Sequence, residues 1–155
     1  MNNQAYSVLT GDLVDSSKLS SSQSTKAMQW LRDAVGEFED IYPRSIEGRL
    51  DSFRHDSWQV LISKPALSLR AAVYLRAALK LNSSNDTKYD TRISIGIGQV
   101  EMIAETRISD SRGSAFTISG KNLDSMQKAR MICESQYQED AAFALLGKAV
   151  VPLLD

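Results

Sequence analysis

The order in which strand-like and helix-like hydrophobic patterns follow one another along the chain restricts its fold more than any other feature. Apolar residues recur with the period of a strand in some segments and at the three- and four-residue steps of a helix in others. In chain order these segments are a strand that ends near residue 12, a helix at about 25–42, a hairpin at 46–62, a helix at about 65–81 and a strand at 92–100. The order βαββαβ is typical of an antiparallel sheet with both helices on one face. We therefore predict an α+β, ferredoxin-like fold.

The rest of the chain extends this core without adding a second domain. Its 155 residues, of which 43% are hydrophobic, suit one domain over residues 1–155 with a core at about 5–135. Gly113 is predicted to open a third helix, and a short edge strand is predicted at 131–134. Residues 139–154 carry apolar side chains on one side and predict a final C-terminal helix.

The charge balance and the apolar runs limit the partners of the domain. Lys and Arg number 18 against 19 Asp and Glu, which gives a formal net charge of -1. A nearly neutral chain has no overall field that attracts nucleic acid or anionic lipid. The N-terminus lacks the pattern of a secretion signal, and no apolar run approaches the roughly 18 residues of a membrane span. We expect a cytoplasmic domain that contacts neither a membrane nor nucleic acid.

The chain contains one cysteine, Cys133, and so cannot form an internal disulfide. Cys133 directly follows Met131 and Ile132, which is an apolar setting. A reactive thiol needs an electropositive and partly exposed environment. We therefore expect Cys133 to be a small buried hydrophobic residue and not a nucleophile.

The first predicted strand delivers a carboxylate to its C-terminal end. The apolar run that starts at Tyr6 stops at Gly11 and Asp12, and Gly11 is expected to let the backbone turn. Ser16 and Ser17 follow before the next helix, where free backbone N–H groups are suited to hold a phosphate beside a cation. Asp after Gly is also ordinary turn chemistry. On this stretch alone, a turn role for Asp12 is the simpler interpretation.

A second carboxylate, Asp56, is predicted at the tip of the hairpin. In the predicted sheet the first and third strands lie side by side and antiparallel, so the end of the first strand meets the start of the third. Asp12 and Asp56 are then neighbours, although they are far apart in sequence. Two carboxylates at one edge repel each other unless they share a proton or a cation, and hard divalent ions bind through such oxygens. The pattern therefore predicts a divalent metal site at this edge.

The predicted strand at 92–100 has one bulky face and one bare face. Isoleucines alternate with Ser94, Gly96 and Gly98, which leave almost no side chain on the second face. We predict that another part of the structure approaches this bare face closely. Either a second copy of the chain or the helices of the same chain would provide that contact.

Four blocks of the sequence resemble, in order, those of the class III nucleotidyl cyclases. The blocks are 11–19 around the first Asp, 53–56 at the hairpin, 92–100 in the form R-I-x-I-x-x-G-x-V, and 113–117 in the place of the family's G-D-A-V-N. The resemblance covers about residues 6–134. The chain is more similar still to SatD-type bacterial proteins, small cyclase-like domains that begin with a Gly-Asp-(Ile/Leu)-Val-x-Ser motif.

This resemblance implies a metal-dependent nucleotide site. It assigns Mg²⁺ or Mn²⁺ to Asp12, Asp56 and the carbonyl group of Leu13, and it places Ser16 and Ser17 against the substrate. The ligand would be a nucleoside triphosphate or another nucleotide. Because the sites of this family are completed across two chains, the resemblance also implies a homodimer.

The sequence departs from the family at the positions that act on the base and on the transition state. Ser52 and Ser114 stand where the family has the Lys that reads adenine and its acidic partner. Thr117 and Lys121 stand where the partner subunit contributes an Asn and an Arg, and Lys lacks the planar fork of Arg. His55 replaces the glycine before the second metal-binding Asp. We interpret His55 as a half-exposed turn residue, the alternative being a neighbour of the metal ligands.

Two functions follow from these matches and departures. The first is a degenerate cyclase-like domain that binds a nucleotide with a divalent metal and has a regulatory role. The alternative is an active class III-type cyclase that converts a nucleoside triphosphate to a cyclic 3′,5′-monophosphate and pyrophosphate. Both metal-binding Asp residues are kept, while both transition-state residues have changed. The sequence therefore favours retained binding over retained catalysis.

Overall fold

The computed structural model of this protein describes residues 4–137, 148 and 151–154. The strands in this part of the chain are β1 (Tyr6–Leu13), β2 (Ile46–Phe53), β3 (Ser57–Ile62), β4 (Thr91–Gly98) and β5 (Met131–Ser135). The α-helices there are α1 (Ser21–Ile41), α2 (Ser68–Leu81) and α3 (Ser114–Ser125). These bounds confirm the predicted order βαββαβ, followed by the predicted third helix and edge strand.

The strands form one sheet in the order β2-β3-β1-β4-β5. β1 is central and runs antiparallel to both β3 and β4, so that Val8 pairs with Leu61 on one side and with Gly96 on the other. β5 extends the sheet in parallel to β4. This arrangement is ferredoxin-like, and it confirms that the first and third strands are neighbours.

The two faces of the sheet bury different sets of side chains. α1 and α2 pack on one face, where the larger core cluster includes Leu9, Trp58 and Ile93 from the strands. The two helices contribute an apolar stripe to this cluster, which includes Met28, Leu31, Val35, Phe38, Leu75 and Leu79. α3 covers part of the opposite face, where a smaller cluster includes Val8 and Phe116. Both helices of the βαββαβ core therefore lie on one face, as predicted.

α1 begins four residues before the predicted start at Thr25. The Ser20 hydroxyl accepts a hydrogen bond from the Gln23 N–H at 3.1 Å, and the Gln23 side chain accepts one from the Ser20 N–H at 2.8 Å. This reciprocal capping box fixes the first turn of the helix. The predicted boundary was wrong because the serine-rich stretch was assigned to a turn, whereas serine at an N-cap favours a helix start.

Gly11 lies inside β1, not at a turn. It pairs with Trp58 on β3 and with Ile93 on β4. A Cβ at this position would lie 2.7 Å from the carbonyl oxygen of Arg92 and closer still to the indole ring of Trp58. The prediction that Gly11 turns the backbone was therefore wrong. Glycine is needed here because the Trp58 ring packs directly against the strand.

The chain's own α3 covers the bare face of β4. A Cβ at Gly96 would lie 2.7 Å from the amide nitrogen of Ser119 and closer still to the carbonyl oxygen of Ala115. The hydroxyl groups of Thr10 and Ser119 are joined by a hydrogen bond of 2.8 Å across the same contact. The predicted close approach is confirmed, and of the two predicted sources the structure has a helix of the same chain.

The connection between β4 and α3 contains a 3-10 turn at Ile108–Asp110 and is attached to β2. Asp51 Oδ2 accepts hydrogen bonds from the Ser109 N–H at 3.2 Å, from the Ser109 hydroxyl at 2.5 Å and from Arg107 Nε at 3.3 Å. Burial acts to raise the pKa of Asp51, but these hydrogen bonds lower it overall. The contact fixes the path of the chain towards the start of α3.

The predicted C-terminal helix at about 139–154 falls mainly outside the described residues. Val151–Leu154 form a 3-10 turn, and Val151 is buried in the larger core cluster. Among the helices of the described residues, none is long and apolar enough to cross a membrane.

Candidate functional site

β1 and the β2–β3 hairpin bring the two predicted metal ligands to one edge of the sheet. Asp12 is paired with Ser57, the residue that follows Asp56. The Leu13 N–H donates a hydrogen bond of 2.8 Å to the backbone carbonyl oxygen of Asp56. The backbones of the two aspartates are thus held as neighbours, which was expected from the order of the strands.

Asp12 forms a bidentate ion pair with Arg92 on β4. Arg92 Nε donates to Asp12 Oδ1 at 2.8 Å, Nη2 donates to Oδ2 at 2.5 Å, and Nη1 donates to the carbonyl oxygen of Met126 at 2.9 Å. Hydrogen bonding to Asp12 raises the pKa of Arg92 against the opposing effect of burial, and the charges of Asp124 and Asp56 raise it further. Both carboxylate oxygens of Asp12 therefore already accept hydrogen bonds from a cationic side chain.

A chain of buried hydrogen bonds supports the backbone at Asp12. The Trp58 indole N–H donates to the Thr91 hydroxyl at 3.0 Å, and that hydroxyl donates to the Asp12 carbonyl oxygen at 2.8 Å. The preceding residue, Asp90, accepts two hydrogen bonds from Arg76 at 2.7 and 2.9 Å. These contacts hold the start of β4 against the end of β1, and so they hold Arg92 against Asp12.

Asp56 is presented by a strained turn. Arg54 and His55 have φ angles of 52° and 64°, in the left-handed region. The Asp56 N–H donates to the Arg54 carbonyl oxygen at 2.7 Å, and a bond across three residues with positive φ at the centre is the rare, strained form of the γ-turn. The Asp56 carboxylate accepts a hydrogen bond of 2.8 Å from the Ser16 hydroxyl. Asp56 thus lies at the tip of the hairpin, as predicted, and such backbone strain is concentrated at functional sites.

Replacing His55 with glycine is expected to raise the free energy of unfolding by about 1 kcal/mol. A non-glycine residue in the left-handed region costs of order 1–3 kcal/mol, while the freedom of glycine in the unfolded chain offsets about 0.5–1 kcal/mol. Chemical denaturation measures the difference. His55→Ala removes the same side chain but keeps a Cβ, so this variant should show no gain. Equal gains in both variants would assign the strain to the imidazole and contradict the backbone explanation.

A cavity of about 680 Å³ opens beside Asp56, between the hairpin and the start of α1. Besides the Asp56 carboxylate, its polar lining consists of hydroxyl groups and nitrogen donors: Ser16, Ser17, Ser21, Ser24, Thr25, Arg32, Ser52, Arg54 and His55. Its apolar lining consists of Leu19, Met28 and Phe53. Four predicted site residues line it: Ser16, Ser17, Ser52 and Asp56. Asp12 is not among the lining residues, so the cavity holds only one of the two carboxylates.

Part of this lining is one stripe of α1. Ser24 and Thr25 lie three and four residues after Ser21, and Met28 and Arg32 continue the same spacing, which places all five on one side of the helix. Arg32 Nη2 donates a hydrogen bond of 2.6 Å to the Ser52 hydroxyl across the cavity. The sequence prediction missed this stripe, because a helix that starts at Thr25 leaves Ser21 and Ser24 in a turn. The three- and four-residue spacing of the hydroxyl groups was the signal that identifies it.

The predicted transition-state positions lie on α3 and outside this cavity. Thr117 and Lys121 are both exposed. Ser114, at the start of α3, accepts a hydrogen bond from the Gln99 N–H at 3.0 Å. Ser114 and Thr117 line a separate cavity of about 500 Å³. Within one chain, the structure does not bring these α3 residues together with Asp56.

The two carboxylates at the sheet edge are the candidate metal ligands. Within the described residues, no group of three or more His, Cys, Asp or Glu side chains is placed to hold a metal ion. Asp12 and Asp56 still offer the hard oxygen donors that Mg²⁺ and Mn²⁺ prefer. Asp56 accepts a hydrogen bond from the Ser16 hydroxyl, and both oxygens of Asp12 accept hydrogen bonds from Arg92. The donor set fits a divalent ion that is completed by phosphate oxygens.

Cys133 lies on β5 and lines neither of the two cavities. Burial raises the pKa of its thiol to about 12, and the charge of Glu134 acts in the same direction. The side chain is therefore protonated at neutral pH. The raised pKa does not suit a nucleophile. The side chain is only partly buried, packed against the larger core cluster, so the prediction of a buried residue was wrong.

Solved structures of nucleotide cyclases resemble this chain. Adenylate cyclases from Trypanosoma brucei in their monomeric state match with a TM-score of 0.61 at 7% identity, over 84% of this chain and 73% of theirs. The adenylate/guanylate cyclase/hydrolase from Silicibacter pomeroyi matches with a TM-score of 0.60 at 13% identity, over 83% and 74%. The catalytic core of a rhodopsin-guanylyl cyclase in complex with ATPαS matches with a TM-score of 0.58 at 15% identity, over 94% and 83%.

This chain has the fold of a nucleotidyl cyclase domain. No protein-family model matches its sequence, and no curated protein matches it either. At such low identities the structural similarity establishes the fold alone, because one fold hosts many functions. The function of this nucleotidyl cyclase-like domain has to be argued from Asp12, Asp56 and the cavity beside them.

Proposed function

We propose that this domain binds a nucleotide together with Mg²⁺ or Mn²⁺ and acts as a regulatory module with little or no turnover. The observation that carries the proposal is the cavity beside Asp56, which combines hydroxyl groups, two arginines and a carboxylate. Hydroxyl and guanidinium groups are suited to phosphate oxygens. The cavity is also large enough for a small-molecule ligand of nucleotide size. We also propose that the chain is a SatD-type protein, on the basis of its sequence resemblance to that group.

The charges at the sheet edge support the proposal that a divalent metal ion binds there. Arg92 is the cation that faces Asp12, and the charges of Asp124 and Asp56 also act on it. A divalent cation bound between Asp12 and Asp56 would relieve the repulsion between these two carboxylates. Asp12, Asp56 and the carbonyl group of Leu13 would hold the ion. When bound, it would neutralise and orient the phosphate groups of the ligand.

The position of α3 supports a homodimer. Ser114, Thr117 and Lys121 lie on or at the start of a helix that packs on the face opposite α1, and the cavity beside Asp56 has no α3 residue in its described lining. A second copy of the chain is needed to bring these residues to that cavity. We propose that two copies associate so that α3 of each one faces the cavity of the other.

The second candidate function is an active cyclase, which forms a cyclic 3′,5′-monophosphate and pyrophosphate. It is favoured by the fact that Asp12 and Asp56 share one edge of the sheet. Thr117 and Lys121 still offer a hydroxyl group and a positive charge on one side of α3. We rank this function second because neither side chain reproduces the planar, multiple donors of the residues that they replace.

Nucleotide with Mn²⁺ is expected to raise the melting temperature of the wild-type protein by roughly 5–10 °C. A ligand at 100 times its Kd adds about 2.7 kcal/mol to the free energy of unfolding, and 1 kcal/mol corresponds to about 2–4 °C in a chain of this size. The measurement is a thermal melt with ATP, GTP, CTP or UTP, with and without Mn²⁺. Asp56→Asn is expected to lose most of the shift, since it removes one charge from the metal site.

Asp15→Asn is the matched control for this experiment. Asp15 is an exposed carboxylate in the adjacent turn and forms a surface ion pair with Lys18 at 3.2 Å. Its φ of 51° is tolerated by asparagine, so this variant should keep the full shift. If no nucleotide shifts the wild-type melt, with or without Mn²⁺, the binding proposal is wrong. An equal shift in wild type and Asp56→Asn would exclude Asp56 from the site.

A further inference from the structure

The cavity beside Asp56 is elongated along α1 and has two chemically different ends. Ser21 and Arg32 are eleven residues apart on the same stripe, which corresponds to about 16 Å along a helix. The first end contains the hydroxyl groups near the start of α1, together with Ser16 and Asp56, which are joined by a hydrogen bond of 2.8 Å. The second end contains Arg32 and Ser52. Such a separation is comparable to the length of an extended nucleoside triphosphate.

The first end has the chemistry of a phosphate site. Backbone N–H groups at a helix N-terminus and nearby hydroxyl groups favour anionic oxygens. Arg54 lies in the hairpin turn next to Asp56 and adds a positive charge to the same end. A ligand that places its phosphates here directs its base towards Arg32.

At the second end of the cavity, the cationic group is the guanidinium of Arg32, which can donate hydrogen bonds but cannot accept them. Arg32 Nη2 donates to the Ser52 hydroxyl at 2.6 Å, and within the described residues Arg32 forms no ion pair with a carboxylate within 4.0 Å. A guanidinium group has five N–H donors in a fixed fork and no acceptor. Met28 and Phe53 add apolar surface to the cavity beside this pair. The arrangement suits a flat, aromatic group with two adjacent acceptors on its edge.

We propose that Arg32 reads the base of the bound nucleotide and that the preferred base is guanine. This inference rests on the proposed nucleotide binding and adds the base to it. Guanine presents O6 and N7 side by side as acceptors, which an arginine fork can bind in a bidentate manner. Adenine presents N7 beside the N6 amino donor, so its amino group would oppose an N–H group of Arg32. Arg32 is an exposed residue of the cavity lining, and its hydrogen bond to the Ser52 hydroxyl orients the guanidinium.

Equilibrium binding of a set of triphosphates in the presence of Mg²⁺ tests the proposal, with isothermal calorimetry as the readout. GTP is expected to bind about 5–150-fold more tightly than ATP, the range expected for one bidentate base contact. ITP keeps O6 and N7 and should bind like GTP. 7-Deaza-GTP lacks the N7 acceptor and should bind more weakly than GTP. Equal affinities for all four triphosphates would overturn the base assignment, whereas the absence of all binding would overturn the proposed function itself.

Substitutions of Arg32 separate a base contact from a phosphate contact. Arg32→Lys keeps the charge but loses the fork, so it should reduce the preference for GTP over ATP while largely keeping the affinity for ATP. Arg32→Gln should move the preference towards ATP, because a glutamine amide pairs with N6 and N7 of adenine. Arg49→Lys is the control, since Arg49 is exposed on β2 and does not line the cavity. Equal weakening of GTP and ATP in both Arg32 variants would show that Arg32 binds phosphate and would overturn the proposal.

Discussion

Purified wild-type protein is expected to form little or no cyclic monophosphate from ATP, GTP, CTP or UTP in the presence of Mn²⁺. The sequence resemblance assigns the cyclase Asn and Arg to the positions of Thr117 and Lys121, and both side chains lie exposed on α3. Removal of one preorganised donor to a transition state costs about 10²–10³-fold in rate. Two independent losses would reach roughly 10⁴–10⁶-fold, although residues that act as a unit are not additive.

Mass spectrometry of the reaction products measures this activity directly. Thr117→Asn combined with Lys121→Arg is expected to increase any turnover, because both changes restore the donors that the resemblance assigns to these positions. Both side chains are exposed, so the double variant should fold like the parent. Robust turnover by the wild-type protein that is lost in Asp56→Asn would contradict the regulatory function and establish the second candidate, an active cyclase.

The difference between binding and turnover follows from where the interactions are made. In the proposed site, ground-state binding would depend on Asp12 and Asp56 and on the hydroxyl groups and arginines that line the cavity of the same chain. Transition-state stabilisation would depend on α3, which lies on the other face of the sheet and which, in the proposed homodimer, reaches the cavity from a second copy. The changes at Thr117 and Lys121 on α3 are therefore expected to lower the rate more than the affinity.

The fold and the meeting of Asp12 with Asp56 could be predicted from the sequence. Both depend on the order of elements, since the βαββαβ order has one standard sheet and that sheet places the first strand next to the third. The hairpin turn at Arg54 and His55 was also visible as a break between two strand patterns. These predictions need only the hydrophobic period of each segment and the order of the segments. They do not need the position of any side chain.

The partners of the site residues could not be predicted in the same way. Arg92 was recognised only as part of a motif, because its pairing with Asp12 depends on both side chains leaving the sheet on the α3 face. The role of Gly11 was misassigned, since its need for a missing Cβ comes from Trp58 on another strand. Arg32 was missed because its partner, Ser52, belongs to a different element. Each of these contacts depends on tertiary packing, and local sequence patterns do not predict which residues of different elements pack together.

Gly96→Ala is expected to lower the free energy of unfolding by about 3 kcal/mol, the upper part of the range for overpacked sites. The new Cβ would lie 2.7 Å from the backbone nitrogen of Ser119 and closer still to the carbonyl oxygen of Ala115, so α3 itself must move. The melting temperature should fall by roughly 6–12 °C. Loss of this contact also breaks the hydrogen bond between Thr10 and Ser119.

Gly120→Ala is the matched control for this prediction, because it adds the same methyl group to the interior of α3. A Cβ at Gly120 meets no atom within 4 Å, and alanine favours a helix over glycine by about 1 kcal/mol. This variant should therefore be more stable than the wild type, while Gly96→Ala is less stable. Chemical denaturation of both variants measures the two effects. If Gly96→Ala were neutral or stabilising, α3 would not pack on β4 in solution, and the assignment of the bare strand face to the chain's own helix would be wrong.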